Sequence, residues 1–383
     1  MSARHAVLVV LGTRPEVIKL APVVAALRAA PSLTARVCVT GQHREMLDQM
    51  LRVFAIAADH DLAVMQPAQD LADVTARVLL GLRDVLAAEQ PAAVLVQGDT
   101  TSAMAAALAA FYAGVPVGHV EAGLRTGRPD QPFPEEMNRR LVGQLATWHY
   151  APTAAAADNL RREGTDAARI LITGNTVVDA LRSIAARPLP LPPPLDEAAL
   201  ADRRLVLVTG HRRESFGAGL ANLCAALRTL ADRYPDLLVV YPVHLNPAVD
   251  APVRAALGDH PRVRLTPPLD YLGFVALLRR AHLAITDSGG VQEEAPSFGV
   301  PVLVTRAVTE RGEALAAGTA RLVGTDRDAI VGAATALLDD PAAHAAMRAA
   351  SNPFGDGHAA ERIVAHLEEQ LPKDEGRKTN DEP

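Results

Sequence analysis

The sequence predicts an α/β protein built from two Rossmann-like, doubly wound domains, each a parallel sheet with helices on both faces. Three observations predict this. Short apolar runs alternate with helical patterns, the alternation breaks at a proline cluster, RPLPLPPPL at residues 187–195, and a similar alternation then restarts. A chain of 383 residues is long enough to bury two cores.

The first strand, AVLVVL, runs into Gly12-Thr13-Arg14-Pro15-Glu16 and a helix carrying Lys19. Pro15 suits the first helical turn, where its missing N–H costs nothing. VCVTG is the second strand, followed by a helix opening at Gln42-His43-Arg44-Glu45. Leu71, Val74, Val78, Leu82 and Val85 recur at helical spacing before the strand AVLVQ, which ends at Gly98-Asp99-Thr100. An alanine-rich helical pattern leads to VPVGHV, which stops at Glu121-Ala122-Gly123, and PFPEEMNRR then opens a helix at Glu135 and Glu136. WHYAPT and RILITGN read as further strands near a crossover between halves.

The prolines at 187–195 cannot be helix interior and read as an extended connector. Beyond them come RLVLVTG with His211-Arg212-Arg213-Glu214, then LLVVYPVHLN, VRLTPPL, a helix from Tyr271, LAITDSGG and GVPVLV. The expected domains are residues 1–170 and 171–358, with a helix at 359–371 packing back on the first. The polar tail at 372–383 lacks apolar periodicity and reads as disordered.

Composition narrows the partners. Hydrophobic content of 49% against 21% charged residues reads as a soluble globular protein, and 3% aromatics leaves the core to Ala, Val and Leu. A net charge of −6 argues against nucleic acid or an anionic membrane as the main partner. Cys38 and Cys224 sit in apolar segments without metal-ligand spacing, as small core residues of a reducing compartment would. The apolar run at 6–11 is too short for a signal-peptide core and nothing approaches a membrane span, so the expected location is the cytoplasm. Lysine occurs only at Lys19, Lys373 and Lys378, which singles out Lys19 as a retained ammonium in an arginine-rich chain.

Ligands of open parallel sheets bind beyond the carboxyl ends of the strands, so Asp99, Glu121 and Glu135 are candidates to share one crevice as acid/base groups. One of Glu135 and Glu136 is expected to serve only the helix dipole. Asp287-Ser288-Gly289-Gly290 follows a strand and opens a helix, where close backbone approach and unpaired N–H groups suit a diphosphate. Glu293 or Glu294, one turn on, could bond a ribose. A dinucleotide fingerprint is absent. His211 ends a strand and could meet an anionic leaving group or exchange protons, whereas His119 reads as a structural histidine.

The segments GTRPEVIKLAPVV, TGQHREMLDQML, QGDTTSAM, VGHVEAGLRTG, PFPEEMNRRL, ITGNTVVDAL, GHRRESFG and TDSGGVQEEAPSFGVPVL together resemble the non-hydrolysing UDP-N-acetylglucosamine 2-epimerases, in order over residues 7–326. The resemblance implies a fold of the GT-B type, a homodimer, a UDP-sugar substrate, and no nicotinamide cofactor or metal. It implies interconversion of UDP-N-acetylglucosamine and UDP-N-acetylmannosamine by elimination and re-addition of UDP through 2-acetamidoglucal. Asp99, Glu121 and Glu135 would be the acid/base set and His211 would assist at the leaving diphosphate or in proton transfer. Arg14, Lys19, Ser288, Gly289 and Gly290 would surround UDP, with Glu294 at the ribose, Phe274 beside uracil, and Arg139 and His244 as further cleft residues. Family members usually read R-D-T-T-E-R-P-E where this chain has Arg306-Ala307-Val308-Thr309-Glu310-Arg311-Gly312-Glu313, which loses two polar side chains and a stiffening proline. Alternative readings are a 2-epimerase of a related 2,3-diacetamido sugar nucleotide and a GT-B glycosyltransferase.

Overall fold

Two parallel α/β units divide the chain, the first formed by residues 1–180 with 355–383 and the second by residues 181–354. The computed structural model describes residues 4–41, 44–66, 68–210 and 217–372. His211, Gln42, His43 and all but the first residue of the polar tail lie outside the described residues.

In the first unit the elements run β1 (His5–Leu11), α1 (Arg14–Ala29), β2 (Leu33–Val39), α2 (Arg44–Val53), β3 (His60–Asp61), α3 (Leu71–Glu89), β4 (Ala93–Gln97), α4 (Thr101–Tyr112), β5 (Val117–Val120), α5 (Glu135–Leu145), β6 (Trp148–Ala151), α6 (Ala154–Arg162) and β7 (Ile170–Ile172), and α7 (Thr176–Ala185) begins in the first unit and ends in the second. Among the described residues the first unit's seven strands are parallel in the order β3-β2-β1-β4-β5-β6-β7. Strand order reverses between β1 and β4, so the crevice where such sheets bind ligands opens at the ends of these two strands.

Sequence chemistry explains where the helices begin. Asp70 and Asp73 form a reciprocal cap on α3, Thr100 accepts the Ala103 N–H at 3.0 Å to start α4, and Thr153 accepts the Ala156 N–H at 3.1 Å to start α6. Six buried alanines of α4 let it lie close against α3 and α5.

Gly123, just past β5, has φ +90°, and a Cβ there would stand 2.2 Å from the carbonyl oxygen of Ala156. The left-handed backbone and this contact with another main chain leave no room for adjustment. Gly123→Ala is therefore expected to destabilise the fold by on the order of 3 kcal/mol, read as a lowered urea midpoint with an unchanged slope.

The second unit contains α8 (Glu197–Leu200), β8 (Arg204–Thr209), α9 (Ala218–Arg233), β9 (Leu237–Pro242), α10 (Pro247–Leu257), β10 (Val263–Thr266), α11 (Tyr271–Arg280), β11 (Leu283–Thr286), α12 (Gly289–Glu294), β12 (Val302–Val304), α13 (Gly312–Ala316), β13 (Ala320–Leu322), α14 (Arg327–Asp339) and α15 (Pro341–Ala349). Among the described residues its six parallel strands follow the order β10-β9-β8-β11-β12-β13, with the reversal between β8 and β11. The last helix, α16 (Ala359–Gln370), returns to the first unit and packs on α1. Among the described residues no helix is long and apolar enough to cross a membrane.

Candidate active site

The turns after β1 and β4 are fastened together by a residue that sequence reasoning missed. Glu16, buried at 1% exposure, accepts the Gly12 N–H at 3.0 Å on one oxygen and the Thr100 hydroxyl at 2.8 Å on the other. Burial pushes its carboxyl up to about 7, against the opposing pull of those hydrogen bonds. Gly12 is required here, because a Cβ would come within 2.7 Å of Ser102 Cβ and 3.0 Å of the Glu16 carboxylate. Arg14 opens α1 on one side of this tie and Asp99 stands beside Thr100 on the other.

Glu121 follows β5 with φ +64°, a left-handed conformation that a side chain adopts at a cost of about 1 kcal/mol. Three side chains hold it there. Lys19 Nζ lies 2.6 Å from each carboxylate oxygen, Asn175 Nδ2 donates to Oε1 at 3.2 Å, and Gln97 Nε2 donates to Oε2. Lys19 thus pairs directly with the acid 102 positions away. Asn175 and Gln97 carried no site expectation; both lie within the motif strings, but only folding shows what they touch.

Asp99 binds the Arg139 guanidinium through Oδ2 at 2.8 Å, and its own carbonyl accepts Asn138 Nδ2 at 2.9 Å. Arg139 also reaches Glu136 at 3.3 Å. The two glutamates that open α5 now separate. Glu136 is fully buried and takes the Thr126 N–H at 3.0 Å, with Arg139 and Arg140 beside it. Burial raises its carboxyl, but the Thr126 N–H and the two arginines outweigh this and hold it below the usual range. Glu136 is structural. Glu135 differs: its buried Oε2 has no hydrogen-bond partner among the described residues.

His119 meets the Gly98 carbonyl at 2.7 Å through Nε2, so the ring carries its proton there and braces the β4 turn. Its Nδ1 has no partner among the described residues, so the structural reading holds with only one nitrogen engaged. Burial pushes it down to about 4, and His149, its register partner on β6, down to about 3.

In the second unit, Ser288 caps α12 without a side-chain capping bond, and its N–H donates to Thr286 Oγ1 at 2.9 Å. Thr286 in turn contacts Thr209 at 2.5 Å, joining the ends of β8 and β11. Arg311 lies over Gly289, its Cζ 3.5 Å from where a Cβ would be, and donates to Glu293 at 2.5 Å. Glu293 is therefore engaged by Arg311. Thr309 donates to Gln292 at 2.7 Å and Arg306 to Glu310 at 2.9 Å. The departures Ala307 and Val308 are exposed, while Gly312 starts α13 with open space around it and needs no left-handed backbone. The altered loop thus keeps its ties to α12. Phe274 is half-buried on α11, and His244 is exposed after β9, accepting the Asn246 N–H at Nδ1 at 3.1 Å.

Comparison with known proteins bears on this arrangement. The family model described as UDP-N-acetylglucosamine 2-epimerase matches residues 25–368. The UDP-N-acetylglucosamine 2-epimerase of Escherichia coli strain K12 is 53% identical over 367 residues, covering 94% of this chain and 98% of that protein. A crystal structure of the Neisseria meningitidis UDP-GlcNAc 2-epimerase bound to UDP-GlcNAc superposes with TM-score 0.86 at 44% identity, covering 95% of this chain and all of that one. The glycotransferase of kitacinnamycin, at 15% identity and TM-score 0.66 over 96% of this chain and all of its own, shares the fold alone.

Proposed function

Since the chain belongs to the UDP-N-acetylglucosamine 2-epimerase family, we propose that it interconverts UDP-N-acetylglucosamine and UDP-N-acetylmannosamine by eliminating and re-adding UDP. The hydrogen at carbon 2 is not adjacent to a carbonyl, so direct removal would be very hard. Breaking the bond between carbon 1 and UDP builds positive character at carbon 1 and acidifies that hydrogen. A carboxylate takes the proton, leaving 2-acetamidoglucal and UDP. Protonation of the opposite face, with return of UDP to carbon 1, gives the epimer.

The observation that carries this reading is the set of three acids held differently in the first unit, Asp99 and Glu121 just past β4 and β5 and Glu135 at the start of α5. Asp99 is engaged by Arg139 and Glu121 by Lys19, whereas Glu135 keeps a buried oxygen without a hydrogen-bond partner among the described residues. In this reading Glu135 is the carboxylate most open to exchanging a proton. Asp99 and Glu121, each beside a cation, serve the other face and balance charge as UDP departs. In this reading the turn after β11 supplies backbone N–H groups and the Ser288 hydroxyl for the diphosphate, with Arg14 as a cation, Glu294 at the ribose and His211 at the leaving group.

Incubation with UDP-N-acetylglucosamine alone in deuterium oxide tests the reaction. Deuterium at carbon 2 in a mixture of both epimers is the expected result. Absence of label would sink epimerisation by this route, and free N-acetylmannosamine with UDP would mark hydrolysis instead.

The working form proposed is a homodimer in the cytoplasm. Leu80, Phe111, Tyr112, Met137 and Leu141 are exposed on the neighbouring helices α3, α4 and α5, and Tyr112 is 71% exposed. Large apolar side chains on three adjacent helices suit association with a second copy. Tyr112→Glu with Leu141→Glu is expected to give a monomer in sedimentation; an unchanged mass would place the contact elsewhere.

A further inference from the structure

The second unit carries a cationic cavity at the opposite, amino end of its sheet, away from the turns assigned to UDP. Its volume is about 210 Å³, and Arg203, Arg204, Arg279, Arg280, His282 and Arg348 line it together with His344. Among the described residues no acidic side chain lines it. Two of the arginines are neutralised from outside: Arg204 binds Asp236 at 2.6 and 3.0 Å, and Arg280 binds Glu197 at 2.7 Å. Arg279 is anchored on the Ala185 carbonyl at 3.0 Å, which positions it without cancelling its charge. Arg203, Arg279 and Arg348 have no ion-pair partner among the described residues.

The commonplace reading is that Arg279, Arg280 and Arg348 complement helix ends, since they occupy the last turns of α11 and α15. Each carboxyl end carries roughly half a negative charge. Two such ends offset about one of the three uncompensated charges, and the cavity stays cationic. The histidines report the same field. His282 and His344 stack with ring centroids 3.9 Å apart and planes 5° from parallel, fixed by a 2.9 Å bond from His344 Nε2 to the His282 carbonyl. Burial, then His344 and the nearby Arg204 and Arg348, push His282 down to about 4.

Guanidinium forks match phosphate oxygens in pairs, and the cavity is smaller than the roughly 300 Å³ at which pockets begin to enclose a whole drug-sized ligand. We propose that this pocket binds a phosphate or diphosphate group, free or as the tail of a nucleotide, at a site separate from the epimerase centre.

Calorimetric titration of the full chain with inorganic phosphate, pyrophosphate and ATP tests this, using Arg203→Ala/Arg348→Ala as the control. Besides any binding at the UDP site, pyrophosphate is expected to bind wild type at a second site that is at least about tenfold weaker in the double variant. Both positions are exposed, so the variant should keep its thermal midpoint and its epimerase rate. ATP binding with the same arginine dependence would identify a nucleotide tail as the source, and pyrophosphate binding alone would identify the free anion. In proton NMR, pyrophosphate should raise the pKa of His282, because a nearby anion favours the imidazolium. No binding at millimolar concentration overturns the proposal, as does equal binding by the variant.

Discussion

Glu121→Gln is expected to cut turnover by about 10²–10⁴-fold, the range typical of a lost acid/base group. It should also weaken the fold, because Lys19 loses both charged contacts at 2.6 Å while its side chain is only 14% exposed. Removing one partner of a largely buried pair costs about 3 kcal/mol, mostly from the charge left behind. The two losses can be separated. Lys19→Met combined with Glu121→Gln should recover most of the stability and none of the activity. Recovery of turnover in the double variant would show that Glu121 only neutralises Lys19. The backbone adds a second test: glycine at 121 relieves the strain at φ +64°, so Glu121→Gly should be more stable than strain-free reasoning about the lost pair suggests, yet inactive.

The second large effect is a pair of pH dependences with opposite signs. His119 and His149 are held neutral in the fold, with burial lowering them from 6.5 to about 4 and about 3. Unfolded, they take up protons near 6.5, so their share of stability is complete above that pH and is lost as pH falls toward 4. Glu16 acts the other way. Its folded value of about 7 exceeds the ordinary 4.5, so folding costs nothing extra below 4.5 and loses stability as pH rises to 7. Wild type partly hides both trends, and single variants expose them. His149→Leu should gain on the order of 2 kcal/mol relative to wild type between pH 7.5 and pH 5, where the wild-type ring resists protonation. Glu16→Gln should gain a similar on-the-order-of 2 kcal/mol between pH 5 and pH 8. Urea unfolding at these pH values checks both. Parallel curves for variant and wild type would mean that these groups are not held as the geometry requires.

Much of this was legible before folding. The strands were readable because parallel strands buried on both faces are near-continuous apolar runs, as in AVLVVL and LLVVYP. Asp99, Glu121 and Ser288 stood out because each interrupts such a run where a sheet meets its ligand. The two-residue β3 and the three-residue β13 were not readable, since so few residues carry no period. Glu16 carries no signal of its own in the sequence, since an acid at a helix start usually answers the dipole.

By itself the sequence determined the order of strands and helices, the two-unit organisation and the family, because these depend on local pattern and on motifs contiguous along the chain. Tertiary structure alone decided which acids are structural and which are available. Glu135 and Glu136 are neighbours with the same side chain, and only the placement of Arg139, Arg140 and the Thr126 N–H tells them apart. Lys19 and Glu121 meet across 102 residues for the same reason. Charge pairing and desolvation depend on distances of a few ångströms in space, and separation along the chain does not set those distances.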